Sequence, residues 1–393
     1  MSIAHKGKVS GYAHNNNVSL VFGGRPYFEL LLQLIGEAKE SVHLQAYIFD
    51  EDETGQMVAD ALVMAAKRNV QVHLLVDGYA SQGISNSFVE SLKKGGVNFR
   101  FFDPLFKSKY YYFGRRLHHK LAVFDSSRAI VGGINISNNY NDLPGKPAWF
   151  DFALHLEGET ARELCILCWK TWFGYPKQMD LTPCEEKLIQ FDINPSQSSQ
   201  VRMRRNDWVR RKNEVSGSYL EIFRQASDQV IVISSYFLPG KRFKKNMAAA
   251  VRRGARVKLI LASRSDVWIA KQAERHIYRW LLKNRIEIYE YQSAILHGKM
   301  AICDSKWMTL GSYNLNNISA FASIELNLDV KDEKFVHSVR NMVESIIDQD
   351  CIQVSEENFR ARSHFLQRLW QDICYETIRL LFYLFTFYFK QKE

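Results

Sequence analysis

The chain has 393 residues but only six cysteines, and their spacing excludes the usual uses of cysteine. Cys165 and Cys168 form a close pair, while Cys184, Cys303, Cys351 and Cys374 are scattered. A zinc site would need a second close pair, and a redox pair would need a thioredoxin-like setting. Both are lacking. The pair lies in the mostly apolar stretch Leu164–Phe173. Buried core thiols in a reducing, cytosol-facing setting are therefore expected. The opening residues, Met1 to Lys6, lack the apolar segment of a secretory signal. No run reaches the roughly 20 apolar residues that span a bilayer. The nearest approach is Leu380–Phe389, broken only by Thr386. There is no excess of acid either: 52 Lys and Arg stand against 42 Asp and Glu, a net charge of +10. Apolar residues at 46% and charged residues at 24% exclude a disordered or collagen-like chain. The charge points to an anionic partner, nucleic acid or anionic lipid, without choosing between them.

What the chain does have is a repeat. Ala38–Phe49 resembles Ala226–Phe237, each a helix end running into a β-rich strand. Ala65–Val76 resembles Ala250–Leu261, each the basic end of a helix, a turn and a second strand. Strands alternating with helices predict βαβ units, an α/β class and a mainly parallel sheet flanked by helices. Phe28, Leu31, Leu32, Ile35 and Ala38 share one face of a helix before the first strand. The expected organisation is two tandem copies, 1–194 and 195–355, divided in the Ser/Gln-rich stretch 194–200. A C-terminal extension, 356–393, follows.

A further repeated segment carries chemistry. His118-His-Lys120, Asp125, Gly132-Gly and Asn135 match His297-Gly-Lys299, Asp304, Gly311-Ser and Asn314, position by position. Both read H-x-K-x4-D-x6-G-[GS]-x-N. A single H-x-K is noise, and two surface-exposed basic strands are the plain alternative. Two copies with four matched elements weigh against that alternative.

Residues two apart on a strand face the same way, so each His points with its Lys. Joined, the two copies supply two imidazoles, two ammonium groups and two amides. That set suits a phosphodiester. Lys120, Lys299, Asn135 and Asn314 can donate to the non-bridging oxygens. One His can attack phosphorus, and the other can protonate the leaving oxygen and later deprotonate the acceptor. No metal, metal-ligand cluster or cofactor is expected. Asp125 and Asp304 lie five residues past Lys120 and Lys299. On a straight strand each faces away from its His, which makes them strand-end residues that hold a turn.

The paired motif resembles the phospholipase D superfamily, whose H-x-K-D motif counts both aspartates as site residues. The likeness covers nearly the whole chain and implies one shared pseudo-twofold active site with a covalent phosphohistidine. By that resemblance His118 is the nucleophile and His297 the general acid/base, although the residues alone leave the order open. A nucleophilic His needs a carboxylate on its other nitrogen. Asp151 and Glu325 lie near places where the superfamily has such carboxylates. A plain surface charge is the alternative for each.

Within the superfamily, several segments look like bacterial cardiolipin synthases of the short form without N-terminal transmembrane helices. They are Gly23–Phe28, Tyr47–Asp52, Leu75–Ser81 with Phe88-Val, Phe237–Gly240, Leu296–Lys299 and Gly311–Leu315. The resemblance implies phosphatidyl transfer between two phosphatidylglycerols, giving cardiolipin and glycerol. A hydrolytic phospholipase D would use the same residues. A nuclease of the superfamily would explain the charge but not the apolar tail, and intact motifs in both halves weigh against a non-catalytic scaffold. The implied partners are anionic phospholipids, phosphatidylglycerol and cardiolipin, and a membrane surface, with no nucleic acid. The implied location is the cytoplasmic face of a bacterial cell membrane, held peripherally.

Two segments suit membrane contact. Lys107–Arg116 mixes aromatic and basic residues, although such stretches also occur in nucleic-acid sites. Phe365–Phe389 contains nine aromatics and predicts an interfacial helix, against the alternative of a helix packed on the protein's own core or in a dimer contact. The cluster Arg202, Arg204, Arg205, Arg210, Arg211 and Lys212 reads as a solvated basic face. The residues do not determine the oligomeric state.

Overall fold

The computed structural model describes residues 11–104, 115–176, 182–186, 189, 191, 193–194, 198–316, 323–362 and 365–390. The first half runs β1 (Ala13–Phe22), α1 (Arg25–Glu37), β2 (Ser41–Ala46), α2 (Glu53–Lys67), β3 (Gln71–Asp77), α3 (Asn86–Lys94) and β4 (Asn98–Phe102). It continues with β5 (Arg116–Leu117), β6 (Leu121–Phe124), β7 (Arg128–Gly132), β8 (Phe152–Gly158), α4 (Glu159–Trp172) and the turn α5 (Pro183–Glu186). The same order then recurs. It begins with β9 (Ser199–Asp207), β10 (Lys212–Asn213), α6 (Glu214–Gln225), β11 (Gln229–Ser234), α7 (Lys241–Arg252), β12 (Arg256–Ala262) and α8 (Trp268–Lys283). It closes with β13 (Glu287–Tyr291), β14 (Met300–Cys303), β15 (Trp307–Gly311), β16 (Ser323–Lys331) and α9 (Glu333–Asp350). The chain finishes with β17 (Cys351–Gln353), α10 (Glu356–Arg362) and α11 (Phe365–Lys390).

Strand pairings follow one line through both halves, β4-β3-β2-β6-β7-β8-β1-β9-β16-β15-β14-β11-β12-β13-β17. The α/β class is as expected, but the sheet is mixed rather than mainly parallel. The βαβ crossovers make β2, β3 and β4 parallel, and likewise β11, β12 and β13. The motif strands β6-β7 and β14-β15 are joined by short turns, which can connect only antiparallel neighbours. Beside them β8 and β16 are antiparallel too.

Side chains alternate between two faces of the sheet. On one face α1, α2 and α3 cover Val42, Leu44, Val72 and Leu74, while α6, α7 and α8 cover Val230, Val232, Val257 and Leu259. On the other face α4 and α9 cover a core shared by both halves, including Leu121, Val131, Leu154, Met300, Leu310 and Leu328. The α1 stripe buries Tyr27, Phe28, Leu31, Leu34 and Ile35. The halves are thus joined by hydrogen-bonded strands and by apolar burial.

Three further expectations are corrected. Cys165 and Cys184 form a disulfide instead of remaining free thiols, because Arg162 Nε on α4 donates to the Cys184 carbonyl and draws that turn onto the helix. Cys168 stays a free buried thiol. The arginine cluster is only in part a solvated face: Arg210 and Arg211 are exposed, but β9 pairs with β16 and Arg202, Arg204 and Lys212 meet acids. Arg202 bonds Asp329 at 2.8 Å and Glu221 at 3.2 Å, Arg204 lies 3.5 Å from Asp329, and Lys212 pairs with Glu214 at 2.9 Å. The stretch 194–200 is only partly a linker, because Ser199 and Gln200 already belong to β9.

α11 packs along α8. Gln371 and Cys374 are buried there, and Asp372 pairs with His276 at 2.6 Å. No helix among the described residues is long and apolar enough to cross a membrane.

Candidate functional site

Each histidine is carried at the start of a motif strand, and each strand is stitched to the opposite half. β5 pairs parallel with β16, Arg116 beside Ser323 and Leu117 beside Ile324. The His118 N–H then donates to the Ile324 carbonyl at 3.0 Å. Asp77, buried at the end of β3, accepts from the Leu117 N–H at 2.7 Å and pairs with Arg116 at 3.4 Å, which fixes the approach to His118. In the other direction Phe150 bridges to Leu296, and the His297 N–H donates to the Phe150 carbonyl at 2.8 Å.

This crossing sets each imidazole against the other half's carboxylate. His118 Nδ1 lies 2.8 Å from Glu325 Oε2, and His297 Nδ1 lies 2.6 Å from Asp151 Oδ2. Both carboxylates are buried and held. Glu325 accepts from the hydroxyls of Ser312 and, at 2.7 Å, Ser323. Asp151 accepts from the Phe152 N–H at 2.7 Å. The loop glycines allow the approach. A Cβ on Gly132 would collide with the Phe152 carbonyl, and one on Gly133 with the Asp151 carboxylate. At the matching place in the second half the longer Glu325 leaves room for Ser312, which becomes its hydrogen-bond donor.

Lys120 Nζ donates to the His118 carbonyl at 3.1 Å and lies 4.8 Å from the centre of the Tyr47 ring. Lys299 Nζ donates to the His297 carbonyl and lies 3.0 Å from His297 Nδ1. Asn135 is spent within the protein. Its carbonyl accepts from the Ile48 N–H at 3.1 Å, and its amide donates to the Tyr140 hydroxyl at 2.8 Å. Asn314 accepts from the Ser235 hydroxyl at 2.7 Å.

Two ammonium groups and two imidazoles are buried close together, which suits an anion. Burial, and then the neighbouring Lys299, lower the Lys120 ammonium to about 7. Burial lowers Lys299 to about 8 against the pull of Asp151 and Glu325. Burial and Lys299 take His297 down to about 4. Burial also lowers His118, against the raising pull of Glu325. Burial alone would raise Asp151 and Glu325, but Lys299 and His297 overcome it at Asp151, and His118 overcomes it at Glu325. Both are held below the usual carboxylate range. A bound phosphate would favour the charged form of both lysines and both histidines.

Eight of the ten candidate residues converge here: His118, Lys120, Asn135, Asp151, His297, Lys299, Asn314 and Glu325. Asp125 and Asp304 do not. Each sits at the far end of its strand, at positive φ of 49° and 53°. Asp125 accepts from the N–H groups of Lys39, Glu40 and Ser41, and Asp304 from those of Ser227, Asp228 and Gln229. These carboxylates cap the helix-to-strand turns before β2 and β11. That corrects their inclusion among the site residues and agrees with the odd spacing.

Tyr140 carries no signal in the sequence. It comes from a single helical turn, Asn138–Tyr140, in the loop between β7 and β8. Its hydroxyl is buried between Asn135 Nδ2 and His297 Nε2, 3.2 Å from the latter. The second half has no such bond among the described residues, and no described side chain bonds His118 Nε2.

Of the proposed membrane segment Lys107–Arg116, residues 107–114 lie outside the described residues. Arg115 and Arg116 are turned inward by ion pairs to Asp207 at 3.0 Å and Asp77 at 3.4 Å.

The family described as "Cardiolipin synthase, PLD-like domain" matches residues 31–144 and 219–347, one match in each half. Cardiolipin synthase B of Escherichia coli K12 is 33% identical over 348 residues, 88% of this chain and 84% of the relative. Cardiolipin synthase B of Salmonella typhimurium is 34% identical over 358 residues, 90% and 86% respectively. Cardiolipin synthase 2 of Bacillus cereus is 28% identical over 369 residues, 91% and 68% respectively. Among solved structures, phosphatidylserine synthase of Haemophilus influenzae superimposes with a TM-score of 0.73 over 94% of this chain and 95% of its own, at 14% identity. That last likeness is one of fold.

Proposed function

The chain belongs to the cardiolipin synthase family of phospholipase D-like domains and is an enzyme of that class; from this premise we propose how its residues perform the transfer. Glu325 holds the proton of His118 on Nδ1, so the Nε2 lone pair faces the phosphorus of a first phosphatidylglycerol. Nε2 attacks, the phosphorus–nitrogen bond forms, and the bond to the glycerol oxygen breaks. His297, protonated once the phosphate anion is bound, gives its proton to that oxygen. A terminal hydroxyl of a second phosphatidylglycerol then loses its proton to His297 and attacks phosphorus. The phosphorus–nitrogen bond breaks, cardiolipin leaves, and His118 returns neutral. Lys120 and Lys299 stabilise the charge on the non-bridging oxygens.

The observation that carries this reading is the crossed pairing of each imidazole with the other half's carboxylate. The difference between the two Nε2 atoms supports the order of roles. That of His118 has no described partner, whereas that of His297 is held by the Tyr140 hydroxyl. Anionic phospholipid at a membrane surface is the substrate phase, reached by peripheral attachment at the cytoplasmic face. The +10 charge and the apolar tail support that placement.

Incubation of the purified protein with phosphatidylglycerol bilayers, and separately with single-stranded DNA, tests the function. Cardiolipin with an equal amount of glycerol is expected. Phosphatidic acid alone would make the protein a hydrolase, and DNA cleavage without lipid turnover would overturn the reading. His118→Ala and His297→Ala should each abolish turnover; near-normal turnover in either refutes the two-histidine mechanism.

A further inference from the structure

α11 has two apolar stripes, and only one of them is covered. Gln371, Cys374, Tyr375 and Ile378 follow the helical period and face α8. Leu366, Leu369, Trp370, Ile373, Leu380 and Leu381 follow the same period on the other side and stand in solvent. This second stripe continues onto another element. Val267, Trp268 and Ile269 form an exposed tip where α8 begins, with Trp268 56% exposed and Trp370 45% exposed. Their rings touch, with centroids 5.9 Å apart. Together they form one contiguous apolar surface, a feature that marks an interaction site on a folded protein.

The chemistry around this surface says what covers it. α7, Lys-Arg-Phe-Lys-Lys-Asn-Met-Ala-Ala-Ala-Val-Arg, contains no acidic residue. It adjoins α11, with Lys244 Nζ 5.6 Å from the centre of the Tyr375 ring. Lys241, Arg242 and Lys245 are exposed and make no ion pair with a described residue. Arg264 is exposed just before the tip. An apolar surface with aromatic rings, flanked by the exposed cations Lys241, Arg242, Lys245 and Arg264, matches an anionic bilayer: rings at the acyl boundary and cations among the headgroups.

The position of the tip is informative. Asp266, immediately before it, accepts from the Tyr236 hydroxyl at 2.5 Å. Tyr236 adjoins Ser235, whose hydroxyl donates to Asn314 of the site. Asp266 also lies close enough to raise the proton affinity of Lys299. The docking tip and the catalytic mouth are therefore neighbours.

We infer that the exposed stripe of α11 and the Val267–Ile269 tip form one docking surface for an anionic bilayer, oriented so that the mouth beside Asp266 meets the lipid headgroups. The inference rests on the lipid-substrate reading and adds the orientation. A phosphatidylglycerol then reaches His118 without leaving the membrane.

The full chain is compared with a Val267→Ser/Trp268→Ser/Ile269→Ser variant and with Lys241→Gln/Arg242→Gln/Lys245→Gln. Both sets are exposed, so circular dichroism and the thermal midpoint should be unchanged. Sedimentation is measured with vesicles of phosphatidylcholine alone and of phosphatidylcholine mixed with phosphatidylglycerol. Removal of three inserted apolar side chains should weaken binding to the mixed vesicles by at least about tenfold. The charge variant should remove the preference for phosphatidylglycerol. Brominated acyl chains should quench the wild-type tryptophan emission, and a Trp268→Phe change should lose part of that quenching. Wild-type vesicle binding by the tip variant would overturn the surface. A change in oligomeric state with intact vesicle binding would overturn it too, by making the patch a contact between copies. Cardiolipin synthesis by the wild-type protein in detergent micelles is followed separately. If it occurs while the tip result fails, only the docking surface is wrong; if it is absent, the substrate reading itself fails.

Discussion

Glu325→Gln probes the crossed architecture most directly, because the substituted residue lies in the second half and the disabled histidine in the first. The wild-type carboxylate receives three donors: His118 Nδ1 at 2.8 Å and the hydroxyls of Ser312 and Ser323. A glutamine fits the volume but has one acceptor oxygen. His118 Nδ1 and the Ser312 hydroxyl share Oε2, while Ser323 donates to Oε1; if the glutamine oxygen keeps Ser323, its amide nitrogen takes the Oε2 place and its N–H groups face His118 Nδ1 and the Ser312 oxygen. The imidazole must then accept at Nδ1 and carry its proton on Nε2, which removes the attacking lone pair. The same substitution deletes the charge that stabilises a cationic ring. In a catalytic serine–histidine–aspartate triad, an aspartate-to-asparagine change of this kind lowers kcat by about 10⁴, close to 5 kcal/mol of barrier. A loss of about 10³ to 10⁴ is expected here. pH does not rescue it, because Glu325 is the group that raises the proton affinity of His118 against burial. The assay is cardiolipin formed in mixed micelles together with glycerol released in a single turnover. Both should fall, because the histidine that attacks first is disabled. A kcat within about tenfold of wild type would refute the orienting role, and a normal glycerol burst with slow cardiolipin release would move the nucleophile to His297.

Tyr140→Phe removes the hydroxyl from His297 Nε2 and strands the Asn135 amide. A loss of about tenfold in kcat and a shifted pH–rate profile are expected, and an unchanged profile would make Tyr140 a packing residue. Asp304→Asn breaks the turn cap before β11 and should cost about 1–3 kcal/mol in thermal unfolding while turnover per folded molecule persists. A large loss of kcat at unchanged stability would return Asp304 to the site. Acid should destabilise the fold through buried histidines. Burial, with His43 and His73 stacked on each other, takes His43 down to about 3, and burial takes His73 to about 4. Each is neutral in the folded state and protonates on unfolding below its ordinary value near 6.5. Stability is therefore full above that value and is lost as pH falls toward 4, at about 1.4 kcal/mol per pH unit for each such group. Urea melts from pH 7 to 5 should show this slope, His43→Phe should flatten it, and an equal slope in the variant would refute the assignment.

The difference between Asp125 and Glu325 shows where sequence reasoning works. The place of Asp125 followed from parity, because a side chain an odd number of positions along a strand points the wrong way. Glu325 was a candidate only through loose spacing and family likeness, since nothing local ties it to a histidine 207 positions away. Cross-strand stitching put it there, through β5 beside β16. Tyr140 left no trace at all, because a loop residue has neither period nor repeat to mark it. The disulfide leaves no mark in the sequence for a similar reason: Cys184 meets Cys165 only after Arg162 folds the segment back.

The sequence by itself determined the duplication, the α/β class and the two H-x-K motifs, because periodicity and matched spacing are local and additive. It left undecided which carboxylate serves which imidazole, which lone pair stays open, and which apolar stripe of the last helix is covered. Those depend on long-range pairing. Strand register decides the crossed contacts, since a one-residue slip would turn Glu325 from the site to the core. The packing of α11 on α8 decides which stripe faces outward, because a helix with two apolar faces can bury only the one its neighbour fits.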